Sequence, residues 1–195
     1  MATALKGDFM IGYVFCGSHC TVGTSINVLQ TIVDKYGDVC PIVSENVYHT
    51  DTRFGKARDI IERIENICSR KVIHTIVDAE PLGPKIILDS MIVAPCTGNT
   101  LAKIALGITD TAATMAIKAH LRSSRKTLIA LATNDAMSSN LANIGTMLNK
   151  KSVYFVPMIQ DSPNSKPHSL VADFSRLIDA YELMMRSEQI RPLFV

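Results

Sequence analysis

Ala94-Pro95-Cys96-Thr97-Gly98-Asn99-Thr100-Leu101-Ala102-Lys103-Ile104-Ala105 is a run of small polar residues set between an apolar segment and a helical pattern. The segment before it, Asp89-Ser90-Met91-Ile92-Val93-Ala94, is short and apolar enough for a buried strand, which Pro95 is expected to end. Leu101, Ile104 and Ala105 then recur at helical spacing, so the loop lies at the carboxyl end of a strand. In open α/β sheets that edge is where ligands bind. The N–H groups of a helix amino terminus, with the Thr97 and Thr100 hydroxyls and the Asn99 amide, suit an anionic or heterocyclic partner. A plain helix cap is the competing explanation of the same residues.

A second stretch has the same design. Met10-Ile11-Gly12-Tyr13-Val14-Phe15-Cys16 reads as a first strand that runs into Gly17-Ser18-His19-Cys20-Thr21. Gly17 permits close backbone approach, Ser18 offers a hydroxyl, and the helix marked by Val22, Ile26, Leu29 and Val33 turns its positive end toward both, a phosphate-binding geometry. Neither the dinucleotide nor the nucleoside triphosphate glycine fingerprint is present. Polar loops recur at Val43-Ser44-Glu45-Asn46 and Ala132-Thr133-Asn134-Asp135-Ala136, and four such loops on one sheet edge define a pocket. Arg53 is the extra cation for a phosphate or a carboxylate, with a solvated surface arginine as the alternative. His19 stands in the phosphate loop, where an imidazole holds a carboxylate, transfers a proton or simply packs.

The remaining pattern is a regular alternation of strands at 10–16, 39–43, 71–77, 89–94, 127–132 and 152–157 with helices at 22–35, 56–68, 100–106, 111–122, 138–149 and 169–186. It predicts a three-layer α/β fold, a doubly wound parallel sheet of Rossmann or flavodoxin type. The near-continuous apolar strand Thr127–Ala132 fits a sheet covered on both faces. The chain's 195 residues favour one domain spanning 1–195. The long irregular segment 159–168 reads as a lid, an interface element or a surface connection. With 20 basic against 18 acidic residues and no Lys/Arg block, nucleic acid is not an expected partner. No apolar run approaches the roughly 18–20 residues of a membrane span, and no signal-peptide pattern opens the chain, so a cytoplasmic location is expected. Five cysteines without metal-ligand spacing fit reduced thiols and no structural metal, with Cys68 as a small core residue.

Gly17-Ser18, Ser44 and the run Pro95–Ala105 followed by Gly107 and Asp110 resemble the flavoprotein family of phosphopantothenoylcysteine decarboxylases, lantibiotic cysteine decarboxylases and flavin prenyltransferases. Ser18–Thr21, residues 46–55, Ala79–Lys85 and Thr133–Ala136 resemble the branch formed by the B subunits of dipicolinate synthases, and this likeness covers almost the whole chain. The resemblance implies FMN as cofactor, with Gly17 and Ser18 at the ribityl phosphate, Ser44 at the phosphate, and Thr97, Gly98, Asn99 and Thr100 at the phosphate and isoalloxazine. It also implies Asn134 on the far side of the pocket, and Arg53 with Lys85 as cations for a small dicarboxylate substrate. His19, Arg53 and Asn134 are the catalytic candidates. The implied activity is oxidation of a dihydrodipicolinate-type precursor during sporulation, shared with an A subunit that carries NADP. A noncatalytic assembly partner, a decarboxylase and a prenyltransferase are the alternatives. Helices rich in alanine and methionine, together with the family, imply a homo-oligomer, a trimer or dodecamer.

Three departures from the wider family bear on the chemistry. No histidine stands near Glu80-Pro81-Leu82, where the decarboxylases place one, and His74 reads as a core residue. The Pro-x-Met-Asn-x-x-Met clamp keeps only Asn134 and Met137. Arg176 is out of register with the arginine of the prenyltransferases, which disfavours flavin prenylation.

Overall fold

The computed structural model describes residues 9–83 and 85–195; residues 1–8 and Pro84 of the expected 1–195 domain, including the amino-terminal stretch read for a targeting signal, lie outside them. Four strands make the parallel centre: β1 (Ile11–Phe15), β2 (Val39–Val43), β3 (Ser90–Cys96) and β4 (Thr127–Thr133). The first three are buried along their whole length, as expected of strands covered on both faces. Side chains alternate between two cores. Tyr13 and Phe15 face a layer made by α1 (His19–Tyr36), α3 (Ala57–Cys68) and α8 (Leu177–Met185); Val14 and Cys16 face α5 (Gly98–Leu106), α6 (Ala112–Leu121) and α7 (Leu141–Leu148). Cys68 is a buried residue of the first core. The three-layer α/β architecture is therefore the expected one.

Strand order is β2-β1-β3-β4, so the chain leaves β1 to one side and returns to the other. That reversal opens a crevice between the carboxyl ends of β1 and β3. A buried hydroxyl chain steadies it: Tyr13 donates to Ser25 Oγ (2.9 Å), and Ser25 donates to the Ala94 carbonyl (2.6 Å), tying α1 to β3 below the loops.

Several boundaries differ from the sequence reading. Pro95 does not end its strand: the Ala94–Pro95 peptide is cis, β3 continues to Cys96, and the Pro95 carbonyl accepts the Cys16 N–H at 3.0 Å. The expected strand 71–77 is reduced to a bridge between Ile42 and Ile73, followed by the short helix α4 (Ile76–Ala79) capped by Thr75. His74 is not packed within a strand but stacks on Tyr48 at 3.7 Å. A short helix, α2 (Glu45–His49), follows β2 where only a polar loop was expected.

The far side of the sheet is mixed rather than parallel. β4 forks: Thr127–Ile129 pair in parallel with β5 (Val153–Phe155), while Ala132 and Thr133 pair antiparallel with β7 (Leu170–Ala172). β6 (Met158–Ile159) pairs antiparallel with β7. The expected helix 169–186 is thus β7, a 3-10 turn at Phe174–Arg176, and α8. Its apolar residues suit either structure, and pairing with β4 decided between them. The expected helix 138–149 begins only at Leu141, because Asp135 organises the turn before it. The carboxyl-terminal tail lies along β6 through Met158 N–H to Leu193 (2.8 Å), leaving Phe194 and Val195 exposed. No described helix is long and apolar enough to cross a membrane.

Candidate functional site

The crevice between β1 and β3 is a cleft of ≈ 350 Å³ lined by Gly17, Ser44, Glu45, Asn46, Thr97, Asn99, Thr100, Lys103 and Thr111. Four helices begin around it: α1, α2, α5 and α6. No acidic residue occupies the first turn of α1, α5 or α6, so their amino-terminal dipoles are not offset locally. Thr97 caps α5 by accepting the Thr100 N–H at 3.2 Å and donates to the Thr100 hydroxyl at 3.0 Å. The Gly98 and Asn99 N–H groups, in the first turn, have no intrahelical acceptor.

On the opposite wall the local geometry comes from Gly17. A Cβ built there would press on Asn46 Cβ at 3.2 Å and reach ordinary contact with His19 Nε2 at 3.6 Å, so glycine lets the Asn46 side chain sit close against the backbone without displacement. Two polar atoms are fully buried here without a partner, His19 Nδ1 and Ser44 Oγ. Burying a hydroxyl or ring nitrogen unpaired costs on the order of 1–3 kcal/mol, and beside an open cleft a ligand could complete the bonding. Ser44 caps α2 through its carbonyl, which accepts from Val47 and Tyr48, and its hydroxyl takes no part. An anion with several acceptor oxygens is what the hydroxyl, the imidazole and the free N–H groups would bind.

Lys103 brings a cation to the rim and holds Asp110 at 2.8 Å, and this lysine keeps the Asp110 carboxyl below its ordinary pKa. Below the loops Cys16 and Cys96 are fully buried; contact with Cys16, then burial, pushes the Cys96 thiol well above its usual range, so it stays protonated. Cys20 is exposed on α1.

Of the residues singled out from sequence, Gly17, Ser44, Thr97, Asn99 and Thr100 line the cleft together. His19 adjoins it through Gly17, while Ser18 caps α1 and accepts from Thr21 at 3.0 Å. Gly98 is buried under the helix start, where a Cβ would come within 2.6 Å of Asn140 Nδ2 and 2.9 Å of Asp135 Oδ1. The structure does not bring Arg53, Lys85 or Asn134 into the cleft lining: all three are exposed, and Arg53 lies over its neighbour Phe54 at 4.8 Å. Sequence reasoning did not single out Glu45, Lys103 or Thr111 as lining residues, nor assign Asn46 a role. Asn46 was legible from its place in the polar loop after β2; Thr111 carried no signal, since its capping partner is Thr114 rather than a glutamate.

A cleft of this kind, at the switch point of a doubly wound sheet and ringed by helix amino termini, lies on the ligand-binding edge of an open α/β protein, and the chain belongs to the flavoprotein family, whose profile matches residues 10–174. Within it, the chain is 38% identical to the B subunit of dipicolinate synthase from Bacillus subtilis (strain 168) over 193 residues, 99% of this chain and 96% of that protein. The crystal structure of the dipicolinate synthase B subunit from Bacillus halodurans superposes with a TM-score of 0.88 at 36% identity, over 97% of each chain. The FMN-dependent cysteine decarboxylase SpaF shares the fold, with a TM-score of 0.66 at 19% identity over 92% of this chain and 97% of its own.

Proposed function

We propose that this chain acts as the B subunit of a dipicolinate synthase, holding FMN in the cleft between β1, β2 and β3 and working with an NADP-dependent A subunit on a dihydrodipicolinate-type precursor. The observation that carries the reading is the pair of buried, unpartnered atoms His19 Nδ1 and Ser44 Oγ at a cleft ringed by helix amino termini. These residues fit a flavin phosphate. Ser44 donates its hydroxyl to it, the free N–H groups of Gly98 and Asn99 face it, and Gly17 lets the chain approach closely. Thr97 and Thr100 hold the start of α5 in shape beneath it. When bound, FMN supplies a two-electron acceptor suited to aromatising a dihydropyridine. His19 holds a substrate carboxylate or carries a proton at Nδ1, and burial on the cleft wall excludes water from that nitrogen.

Arg53 and Asn134 are the further residues proposed to meet a dicarboxylate. Both lie outside the lining of the cleft, so this part of the proposal requires another chain to complete the substrate half, either a second copy in a trimer or dodecamer or the companion subunit. A cytoplasmic, sporulation-linked role is part of the same proposal. The decarboxylase reading is not favoured: the Glu80-Pro81-Leu82 segment holds no histidine, and His74 is engaged in a stack with Tyr48.

The test is an absorbance spectrum of the purified protein with FMN, alone and with the A subunit, before and after anaerobic addition of the precursor. Bleaching of the long-wavelength flavin band is expected. Bound flavin that stays oxidised while dipicolinate accumulates moves the redox step to the A subunit and leaves this chain an assembly partner; absence of flavin binding overturns the cofactor assignment.

A further inference from the structure

A second and larger cavity, ≈ 890 Å³, opens on the flank of α5 and α6 and reaches the amino-terminal ends of β4 and β5. Its rim carries Lys118, Arg122, Lys126, Lys150 and Lys151, and no Asp or Glu lines it. Lys118 and Arg122 lie one turn apart at the end of α6, and Lys150 and Lys151 follow α7. The ion pairs among the described residues use Lys35, Arg58, Arg70, Lys71, Lys103 and Lys166, and none uses these five. Only Lys126 is engaged, donating to the Met185 carbonyl at 2.6 Å. Five of the chain's 20 basic residues therefore gather in one groove without a counter-charge.

The floor of the groove is apolar, formed by Ile104, Leu121 and Tyr154. Ile108 in its wall is 44% exposed, and neighbouring Leu106 at the end of α5 is 72% exposed. Exposed apolar side chains beside an uncompensated charge field are the features of a docking surface: the charges steer and orient, and the apolar floor supplies affinity. A small anion is held by a few convergent, desolvated donors, whereas Lys118, Arg122, Lys150 and Lys151 are exposed and belong to two helix ends. That spacing suits an extended acidic segment with apolar anchors.

The groove also shares a wall with the cofactor cleft. Gly107 adopts a left-handed conformation (φ 76°) that ends α5 and starts the return loop. Gly107, Ile108 and Thr109 line the groove, while Thr111, two residues on, lines the cleft. The Thr111–Thr114 capping box and the Lys103–Asp110 ion pair brace this loop from within.

We infer that the basic groove docks an acidic, apolar-anchored segment of the companion subunit on the outer side of the wall that closes the cofactor cleft. The inference rests on the partnership proposed above. It is tested by measuring association of the purified A subunit with the wild-type chain, with the triple variant Lys118→Glu, Arg122→Glu, Lys150→Glu, and with Ile108→Asp, each at low and moderate salt. FMN titration of each variant checks that the cleft is intact. The triple variant is expected to lose at least ~100-fold in affinity and Ile108→Asp about 10-fold, with wild-type binding weakened by salt. Equal binding by wild type and variants overturns the docking site while leaving the partnership in place. No association of the wild-type chain overturns the partnership and the docking site with it. Calorimetry showing that the variants lose binding of pyridine-2,6-dicarboxylate yet keep the A subunit also overturns it, in favour of a small-anion site.

Discussion

Three polar loops leave the same edge of the sheet with similar residue types, yet their hydrogen bonding divides them. In the loop after β4, Asp135 accepts from Thr133 at 2.5 Å and from the Asn140 amide at 2.9 and 3.0 Å, while Asn140 accepts from Asn143 at 2.9 Å. These side chains answer one another, and the start of α5 packs on them through Gly98. In the loops after β1 and β2, His19 Nδ1 and Ser44 Oγ are as well shielded from water and answer nothing. The loop after β4 is a strut, and the other two carry the unanswered groups on which the proposed cofactor site rests. Residue chemistry does not separate them; satisfaction of the buried groups does.

The comparison is broken most severely at Gly98, which a cofactor-binding role and a packing role treat differently. Gly98→Ala is expected to destabilise the fold by about 1–3 kcal/mol, because the new methyl collides with Asn140 and Asp135 and neither can retreat without breaking the network. A urea denaturation midpoint measures it, and an unchanged midpoint with weaker flavin binding would return Gly98 to the proposed cofactor site. Ser44→Ala is expected to do the reverse. Flavin affinity falls about tenfold, ~1.4 kcal/mol, while the flavin-free chain loses no stability and gains up to the ~1–3 kcal/mol that burying an unpaired hydroxyl costs, since the hydroxyl has no protein partner to lose. Fluorescence quenching of FMN and the same urea series read the two effects separately.

Asp135→Ala is expected to cost about 1 kcal/mol of stability with little change in flavin affinity. The sign with pH sharpens this test. Bonds from the Thr133 hydroxyl and then the Asn140 amide lower the Asp135 pKa in the folded chain. Its contribution is therefore present above the unfolded value of about 3.9 and lost as the pH falls through the folded value. The acid limb of the stability curve should be shallower in the variant than in the wild type, as followed by circular dichroism. The smallest effect belongs to Arg53→Ala. This exposed side chain touches Phe54 outside the cleft lining, so stability and flavin affinity of the isolated chain stay within about 0.5 kcal/mol of the wild type. A loss of turnover in the assembled enzyme alone would place Arg53 at a site completed by another chain.

Much of this molecule was legible in one dimension. Strands buried on both faces write themselves as unbroken apolar runs, as in Ile11–Phe15 and Thr127–Ala132, and helices between them carry one apolar stripe, as with Ile61, Ile64 and Cys68 on α3. Those two periodicities, with the short polar loops between them, determined the three-layer fold and the edge on which the cleft lies. The polar residues at strand ends, Gly17, Ser44 and Thr97–Thr100, were visible because few residues connect strand to helix there.

Tertiary structure decided what local pattern leaves degenerate. Val171 and its neighbours are apolar enough for helix or strand, and they became β7 because β4 offered them a free edge past Ile129. Pro95, read as a stop, lies within β3 after a cis peptide, and its own carbonyl pairs with the Cys16 N–H. Thr111 entered the cleft, and Lys118, Arg122, Lys126, Lys150 and Lys151 gathered into one groove, through a return loop and helix ends far apart in the chain. Periodicity reports what each residue needs, burial or water; only the closed fold decides which distant groups meet and which buried atoms remain without a partner.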